Sequence, residues 1–208
     1  MAIEVSISVY RVWDKNYLIK LGENRPELLL FYGHRVTKTV TETCLSQWYP
    51  CQFEVDGVTY TSAEQYMMAE KAKLFGDEEI RTEILSTSDP RTCKALGRKV
   101  KNFDKAVWNE KKEDIVRDGN FEKFMQNDAL RNFLLSTGDK VLVEASPTDR
   151  VWGIGLGKNN PDALDPQKWR GQNLLGFTLM VVRKDMAILD MYGEFDEEED
   201  GENMEETK

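Results

Sequence analysis

The first third of the chain carries the hydrophobic pattern of β-strands. Apolar residues occupy every second position across residues 3–9, which is the two-residue period of a strand. Residues 28–32 and 36–43 are rich in apolar or β-branched side chains and are predicted to be extended as well. In residues 53–60, Asp56-Gly57 separates two short runs of β-forming residues, which predicts a hairpin.

From residue 62 onward the pattern becomes helical. Ser62 and Gln65 have the spacing of a capping box, so a helix is predicted from there to about Phe75, with Gly76 ending it. Capping residues and composition predict further helices at residues 77–85, from residue 89, and at residues 104–118, 121–127 and 128–137.

The last third returns to a short strand and then to a helix. Residues 141–145 are predicted to form a buried strand, and a long loop with three prolines follows over residues 146–171. A loop of this length inside a compact domain is usually functional or disordered. Apolar residues then recur with helical period from residue 174 to residue 182. The predicted class is α+β, a single mainly helical domain with a small β component.

The net charge of −9 is concentrated at the C-terminus. Residues 186–208 hold ten acidic residues and one lysine, and the rest of the chain is neutral. This tail is predicted to be disordered, and it either keeps the chain soluble or gates binding electrostatically. No basic stripe stands out, so the composition does not indicate a surface that binds long nucleic acids, although a pocket for one nucleotide is compatible with it.

Cysteine and histidine counts exclude several kinds of site. Cys44, Cys51 and Cys93 are odd in number and lack C-x-x-C spacing, which argues against a disulfide framework and a zinc site. His34 is the single histidine, so no mechanism can combine a histidine base with histidine metal ligands. Neither a signal sequence nor an apolar stretch of membrane-spanning length is present. We expect an intracellular protein, cytoplasmic with the nucleus left open, that uses no metal, cofactor or membrane; no oligomeric state follows from the sequence.

The helix that begins at Ser62 carries the first candidate chemistry. Glu64 and Lys71 are seven residues apart and therefore share one helix face. Burial raises the pKa of a carboxyl group and lowers that of a lysine, which would suit both for acid/base work or for an amine nucleophile. A solvated charge pair on an amphipathic helix accounts for the same spacing, and the pattern alone favours it.

A glycine-rich segment carries the second candidate. Gly153, Gly155 and Gly157 let the backbone approach a ligand closely and point N–H groups at an anion, and Trp152 offers a stacking face for a base. A tight turn with a tryptophan packed in the core explains the segment equally well.

Two further residues are ambiguous. Asn173 could cap the helix that begins at Leu174, or it could hydrogen-bond to a ribose or a base edge. Trp108 could be a core residue or a stacking wall.

Taken in order, seven motifs make the chain resemble the YbiA-like/NADAR family across about residues 29–183. They are Leu45-Ser46-Gln47-Trp48-Tyr49-Pro50, the hairpin Val55-Asp56-Gly57-Val58-Thr59-Tyr60, the helix segment from Ser62 to Lys71, Leu134-Leu135-Ser136-Thr137-Gly138, Glu144-Ala145-Ser146, the segment from Asp149 to Gly155, and the segment from Gly171 to Gly176. The order of the motifs, rather than any one of them, carries the resemblance. It implies a YbiA-like catalytic domain at residues 29–185, after an N-terminal strand extension at residues 1–28 and before the acidic tail at residues 186–208.

The resemblance implies hydrolysis of an N-glycosidic bond on a ribose. The catalytic carboxylate of the family falls on Glu64 and its lysine on Lys71, which would hold developing charge or attack the opened sugar as a Schiff base. The implied substrate-binding residues are Trp48, Tyr66, Trp108, Asp149, Trp152, Gly153, Gly155 and Asn173.

The chain departs from the usual family pattern at two motifs. It has Ser46-Gln47-Trp48 where S-N-F is usual, and Gln65 where histidine is usual. Trp48 suggests a wider aromatic wall around the substrate. Gln65 removes a histidine that would otherwise be a candidate for catalysis.

Two substrate classes are attributed to such proteins. One is ADP-ribosylated guanine, as a nucleotide or in nucleic acid, and the other is the ribosylamine intermediates of riboflavin biosynthesis. The N-terminal extension and the acidic tail are unlike a compact biosynthetic accessory enzyme, which favours ADP-ribosylated guanine. A non-catalytic ADP-ribose or NAD sensor and a purely structural interaction domain are the remaining alternatives.

Overall fold

The structure is a computed structural model that describes the backbone of residues 13–202 and the side chains of residues 13–192. The strand predicted at residues 3–9 lies outside the described residues. Within residues 13–202, no helix is both long enough and apolar enough to cross a membrane.

Helices dominate the fold, and four short strands accompany them. The elements are α1 (Lys15–Leu21), β1 (Leu28–Phe31), β2 (Phe53–Val55), β3 (Val58–Tyr60), α2 (Ala63–Leu74), α3 (Glu78–Leu85), α4 (Pro90–Gly97), α5 (Lys105–Met125), α6 (Asp128–Ser136), β4 (Val141–Glu144) and α7 (Leu174–Glu202). Short 3-10 turns lie at Gly22–Asn24, Glu42–Leu45, Pro161–Leu164 and Pro166–Lys168. The predicted α+β class is confirmed.

Local signals in the sequence correctly locate most of these elements. The Ser62 hydroxyl accepts the N–H of Gln65 at the start of α2, as the capping box predicts. In the hairpin, Asp56 and Gly57 have φ values of 51° and 76°, both in the left-handed region. Positive φ at both positions is what a type I′ turn requires, and it pairs β2 with β3 in antiparallel register.

Four segments differ from the sequence prediction. Residues 36–43 form no strand, because no neighbouring strand is present to pair with them, and only the turn Glu42–Leu45 is regular. Part of the predicted strand extension is the helix α1. The acidic tail is helical as far as Glu202 where disorder was predicted, since glutamate-rich sequence favours helix and α7 is already nucleated by its packed first turns.

The fourth difference is that residues 104–118 and 121–127 belong to one continuous helix, α5. Gly119 interrupts the sequence pattern but not the helix. A Cβ atom at Gly119 would lie 2.3 Å from Cδ1 of Tyr66, so the glycine allows α5 to pack closely on α2. Asn120, which follows it, donates a hydrogen bond to the carbonyl oxygen of Val116 one turn earlier.

Helix α2 lies at the centre of the molecule and packs against α3, α4 and α5. Its buried residues run continuously from Ala63 to Ala69 and include Glu64 and Gln65. This N-terminal half of α2 therefore has no polar stripe, whereas Lys73 near the other end of the helix is exposed. The solvated alternative is excluded for Glu64.

Strands β1 and β4 form a parallel pair in the core, with Leu28 opposite Val141 and Phe31 opposite Glu144. Helix α7 packs directly on β4. At the start of α7, the Asn173 side chain donates to the carbonyl oxygen of Leu142 at 2.9 Å and accepts the N–H of Glu144 at 2.9 Å. These two bonds hold the end of β4 against the start of the helix.

Gly176 is expected to be indispensable for this packing. An added Cβ would lie 2.0 Å from the carbonyl oxygen of Leu142, which belongs to backbone that cannot rotate away. Gly176→Ala should lower the free energy of unfolding by at least about 2 kcal/mol, measured by urea denaturation. Gly157→Ala is the matched control, because an added Cβ there meets nothing closer than 4.0 Å. Equal stabilities of the two variants would contradict this account.

Candidate active site

A cavity of about 840 Å³ opens at the carboxyl ends of the two parallel strands. The chain leaves β1 into Tyr32 and His34, and it leaves β4 through Glu144 into Ser146; all four residues line the cavity. Helix α2 contributes Glu64 from its first turn. Ligand sites commonly lie at this edge of parallel strands, because neighbouring loops diverge there.

The lining combines carboxylates, cations and aromatic rings. The charged members are Glu64, Glu144, Asp149, Arg91, Lys94, Arg98 and Arg150. The aromatic members are Tyr32, His34, Trp48 and Trp152.

Glu64 is the most deeply buried charged group of the cavity, with 2% of its surface exposed. Its N–H donates to the carbonyl oxygen of Gln47 at 2.9 Å, and its carboxylate accepts a hydrogen bond from the Trp48 indole. Its Oε1 atom has no hydrogen-bond partner among the described protein atoms. Burial raises the pKa of Glu64 to about 7, against the opposing pull of the Lys94 charge. Glu64 can therefore hold or release a proton near neutral pH.

Glu144 is a second carboxyl group in the same cavity. Its backbone is held on both sides: Asn173 accepts its N–H, and its carbonyl oxygen accepts the N–H of Ile154 at 2.9 Å. Its Oε2 atom also lacks a partner among the described protein atoms. Burial, followed by the like charges of Asp149 and Glu64, raises the pKa of Glu144 to about 8, although Lys94 lowers it.

Lys94 and Asp149 form an ion pair at the cavity wall. The Lys94 Nζ lies 3.7 Å from Oδ2 of Asp149 and 5.8 Å from the centre of the Trp48 ring. Asp149 also folds its own loop, because its Oδ1 accepts the N–H groups of Val151 and Trp152 at 2.9 and 2.8 Å. The same carboxylate thus positions Trp152 and the lysine.

The segment carrying Gln47 and Trp48 is held from behind by α5. Lys123 is fully buried, and its Nζ donates to the carbonyl oxygens of Cys44 at 2.6 Å and Ser46 at 2.9 Å. Burial lowers the pKa of Lys123. Asn120 donates to the Gln47 side chain at 2.7 Å. Two polar residues of the core therefore fix one wall of the cavity.

Of the ten site residues predicted from the sequence, the structure brings four together at the cavity. They are Trp48, Glu64, Asp149 and Trp152.

Lys71 and Trp108 do not line the cavity. Lys71 lies towards the C-terminal end of α2, and Trp108 lies near it on α5. The Lys71 Nζ donates to the carbonyl oxygen of Gly97 at 2.7 Å and lies 4.3 Å from the centre of the Phe103 ring and 5.5 Å from that of Trp108. Seven residues separate Lys71 from Glu64 by about 10 Å along the helix axis. Both residues belong to α2, but only the first turn of this helix borders the cavity.

The other four predicted residues have roles in packing. Tyr66 packs edge-on against Tyr60 at 5.0 Å in the core. Gly153 lies where a Cβ would be 2.9 Å from the carbonyl oxygen of Glu144, and Gly155 adopts a φ of 68° and donates its N–H to the carbonyl oxygen of Asp149. Asn173 is fully buried and uses its side chain on β4.

Several cavity residues were absent from the sequence prediction, although signals for them exist. Arg91 and Lys94 lie three residues apart in α4, and Arg98 follows as its C-cap residue at i+7, which places three cations on one side of the helix. These cations face the cavity, where an anionic ligand could meet them, although the composition shows no basic stripe. Glu144 could have been found as the charged residue that ends a buried strand, where ligand sites gather.

Gln65 occupies the position where the resemblance implies a histidine, and its side chain has a structural role. Its Oε1 accepts the N–H of Thr61 at 2.7 Å, and its Nε2 donates to the carbonyl oxygens of Ile84 and Thr87 at 3.1 and 2.8 Å. The side chain points away from the cavity and ties α2 to the loop between α3 and α4. Position 65 thus serves the fold here.

Comparison with known proteins identifies relatives of the chain. The model of the NADAR domain matches residues 30–187. An N-glycosidase of Acanthamoeba polyphaga mimivirus is 47% identical over 145 residues, which are 67% of this chain and 85% of the viral protein. A riboflavin biosynthesis protein of Vibrio vulnificus is 32% identical over 142 residues, which are 68% of this chain and 35% of that protein. The NMR structure of the E. coli protein YbiA matches with a TM-score of 0.64 at 29% identity, over 80% of this chain and 89% of that one.

Replacing either buried glutamate of the cavity by glutamine is expected to stabilise the protein at alkaline pH. The folded-state pKa values of about 7 for Glu64 and about 8 for Glu144 lie above the ordinary value of 4.5. Unfolding therefore releases protons between these limits, and the stability of the wild type falls as the pH rises through that window.

Glu64→Gln and Glu144→Gln should each exceed the wild type in free energy of unfolding by roughly 1–3 kcal/mol near pH 9, and the difference should shrink towards pH 4.5. Denaturant titrations at several pH values measure it, with Glu113→Gln on the exposed face of α5 as the control. A difference that does not change with pH would argue against raised pKa values at both sites.

Proposed function

Because this chain belongs to the NADAR family, we propose that it cleaves the bond between C1 of a ribose and a nitrogen atom, and that its substrate is guanine bearing ADP-ribose. The chain is accordingly an N-glycosyl hydrolase. The observation that carries the proposal is Glu64 itself: a buried carboxyl group with one unpartnered oxygen, in a cavity walled by tryptophans.

Glu64 would act as general acid/base in the cleavage. Glycosidases use carboxyl groups of this kind because the C1–N bond breaks through a transition state with positive charge on the sugar. A carboxyl group with a pKa of about 7 exchanges protons efficiently near neutral pH. The Trp48 indole and the Lys94 charge keep its ionised form accessible.

Lys94 takes the amine role that the family resemblance implies for Lys71. It lines the cavity beside Asp149, whereas Lys71 faces Phe103 outside it. The Lys94 ammonium would bind ribose hydroxyls or developing negative charge. In an alternative route, the neutral amine attacks C1 of the ring-opened sugar and the base leaves C1 with the bonding electron pair and a proton. Water then hydrolyses the resulting Schiff base, which frees both the sugar and the amine.

The size and charge of the cavity support a substrate with a diphosphate. Ligand cavities usually measure roughly 300–1,000 Å³, and about 840 Å³ leaves room for a group of dinucleotide size. Arg91, Arg98 and Arg150 supply guanidinium groups, which suit phosphate oxygens. Trp48 and Trp152 supply ring faces for a base.

A second candidate is a ribosylamine intermediate of riboflavin biosynthesis. The observation that favours it is the similarity to the Vibrio vulnificus protein of riboflavin biosynthesis. Such a substrate is smaller and would leave part of the cavity unfilled. A non-catalytic ADP-ribose or NAD sensor is a third candidate, and it predicts saturable binding without product.

Activity is expected on an oligonucleotide that carries ADP-ribose on guanine. Wild-type protein should remove the adduct, and Glu64→Gln should lower the rate at least about 100-fold, because glutamine keeps the shape of the side chain but cannot exchange the proton. Mass spectrometry of the oligonucleotide measures the loss. The riboflavin intermediate, assayed in parallel, decides between the two substrates, and binding of ADP-ribose without release of product would identify a sensor.

Lys94 and Lys71 are expected to respond differently to replacement. Lys94→Met should lower kcat at least about 100-fold, because it removes the cavity amine, while Lys71→Met should stay within a few-fold of the wild type. Lys94→Arg keeps the charge without a nucleophilic amine, so its activity separates electrostatic binding from Schiff-base chemistry. Loss of activity in Lys71→Met alone would return the amine role to Lys71.

A further inference from the structure

We propose that Glu144 is a second catalytic carboxyl group, which donates a proton to the leaving nitrogen while the Glu64 carboxylate takes a proton from the attacking water. The inference rests on the proposed N-glycosidase function and divides the acid and base roles between two residues.

The backbone position of Glu144 is rigid and belongs to the cavity. It is the last residue of β4, and Asn173 and Ile154 hold its N–H and its carbonyl oxygen. The side chain lines the same cavity as Glu64, from the strand edge rather than from the helix. A helix and a strand, both rigid, therefore present the two carboxyl groups to one cavity, as a reaction with separate acid and base groups requires.

One carboxyl oxygen of the half-buried Glu144 lacks a partner that would account for its burial. This Oε2 atom makes no hydrogen bond with the described protein atoms. Burying a carboxyl group without a partner is costly, and an apolar residue or an amide would avoid that cost. Glu64 has the same property at Oε1. Two unsatisfied carboxyl oxygens in one cavity are suited to a substrate that binds between them.

The surroundings of the two groups favour different protonation states. Glu144 is faced by Asp149 and Glu64, whose negative charges favour its acid form, and Lys94 opposes them. Burial favours the acid form of Glu64 as well, as does the charge of Asp149, but Lys94, the Trp48 indole and Arg98 at the end of α4 all favour its carboxylate. The charged neighbours therefore favour the acid form of Glu144 and the carboxylate form of Glu64 when the coupled pair shares protons.

The step balances with water as the second reactant. The C1–N bond breaks with its electron pair going to nitrogen, and nitrogen takes the proton of the Glu144 carboxyl group. The oxygen of water bonds to C1 and gives a proton to the Glu64 carboxylate. The products are the free ribose and the free base, with Glu144 ionised and Glu64 protonated. Transfer of that proton back to Glu144 restores the starting state.

The pH dependence of turnover tests the proposal. On whichever substrate the wild type hydrolyses, kcat/KM should fall on the acid side, where the base is protonated, and on the alkaline side, where the acid is ionised. Glu144→Gln should lower kcat/KM about 100- to 10,000-fold and abolish the alkaline limb. Glu64→Gln should instead abolish the acid limb. Glu144→Asp keeps a carboxyl group and should retain both limbs at a reduced rate.

A structural role for Glu144 would give another result. If Glu144→Gln lost activity but kept the alkaline limb, or remained within a few-fold of the wild type, the proposal would be overturned. Thermal unfolding of the same variants separates failure to fold from loss of chemistry, and Glu144→Asp carries the test if the glutamine variant does not fold.

An infrared measurement tests the protonation state without turnover. The wild type at neutral pH should show the carbonyl absorption of a protonated carboxyl group, and this absorption should weaken more in Glu144→Gln than in Glu64→Gln. Absence of that absorption from the wild type would reject Glu144 as the acid. Its presence together with no hydrolysis of either substrate would count against the N-glycosidase proposal, since the proton donor would be in place.

Discussion

The structure depends on burying the N-terminal half of helix α2 on all sides, with a carboxyl group inside. Three helices pack around α2, and the close approach of α5 requires a glycine at position 119. Gln65 uses both ends of its amide to tie α2 to the chain before it and to the loop beyond α3. In this enclosed setting the first turn of α2 meets the cavity, so Glu64 is held in low-dielectric surroundings by the packing of the whole domain. The raised pKa of Glu64 is thus a consequence of the fold.

Buried polar residues act as braces behind the cavity. Lys123 is fully buried and holds two carbonyl oxygens of the segment before Trp48, and Asn173 joins β4 to the start of α7. A buried amine or amide is tolerated when its donors are paired with carbonyl oxygens. These braces leave Trp48 and Glu144 presented by rigid backbone. These two cavity residues are therefore supported by side chains that do not line the cavity.

Charge in the cavity is arranged by sign. Glu64 and Glu144 line the site from α2 and β4, while Arg91 and Lys94 of α4 and the following Arg98 contribute cations. Cations beside the carboxyl groups oppose the rise in their pKa values, and they offer partners to an anionic ligand. The neutral overall charge of the domain conceals this separation. Composition averages over the surface, whereas binding responds to a single cavity.

The sequence by itself determined the elements and the family. Capping residues, the Asp56-Gly57 turn and the helical periods are local signals, and they locate the hairpin and helices α2, α3, α4 and α6. The prediction failed where distant contacts prevail over local preference: Gly119 does not end α5 because Tyr66 fills the space beside it, and residues 36–43 form no strand because they have no partner. The motif order also indicated Glu64, Asp149, Trp48 and Trp152 as site residues.

Only the tertiary structure decided which residues meet. Lys71 and Glu64 lie on the same helix, but the cavity borders only the N-terminal end of α2, where Glu64 is. The lysine that lines the cavity is Lys94, which belongs to α4. The residues around Glu144 come from α2, α4 and the loop after β4. Only that loop is close to Glu144 in sequence. Proximity across elements depends on how helices and strands pack, and burial depends on everything around a group. A carboxyl group becomes a candidate acid or base through those long-range effects, which no local pattern encodes.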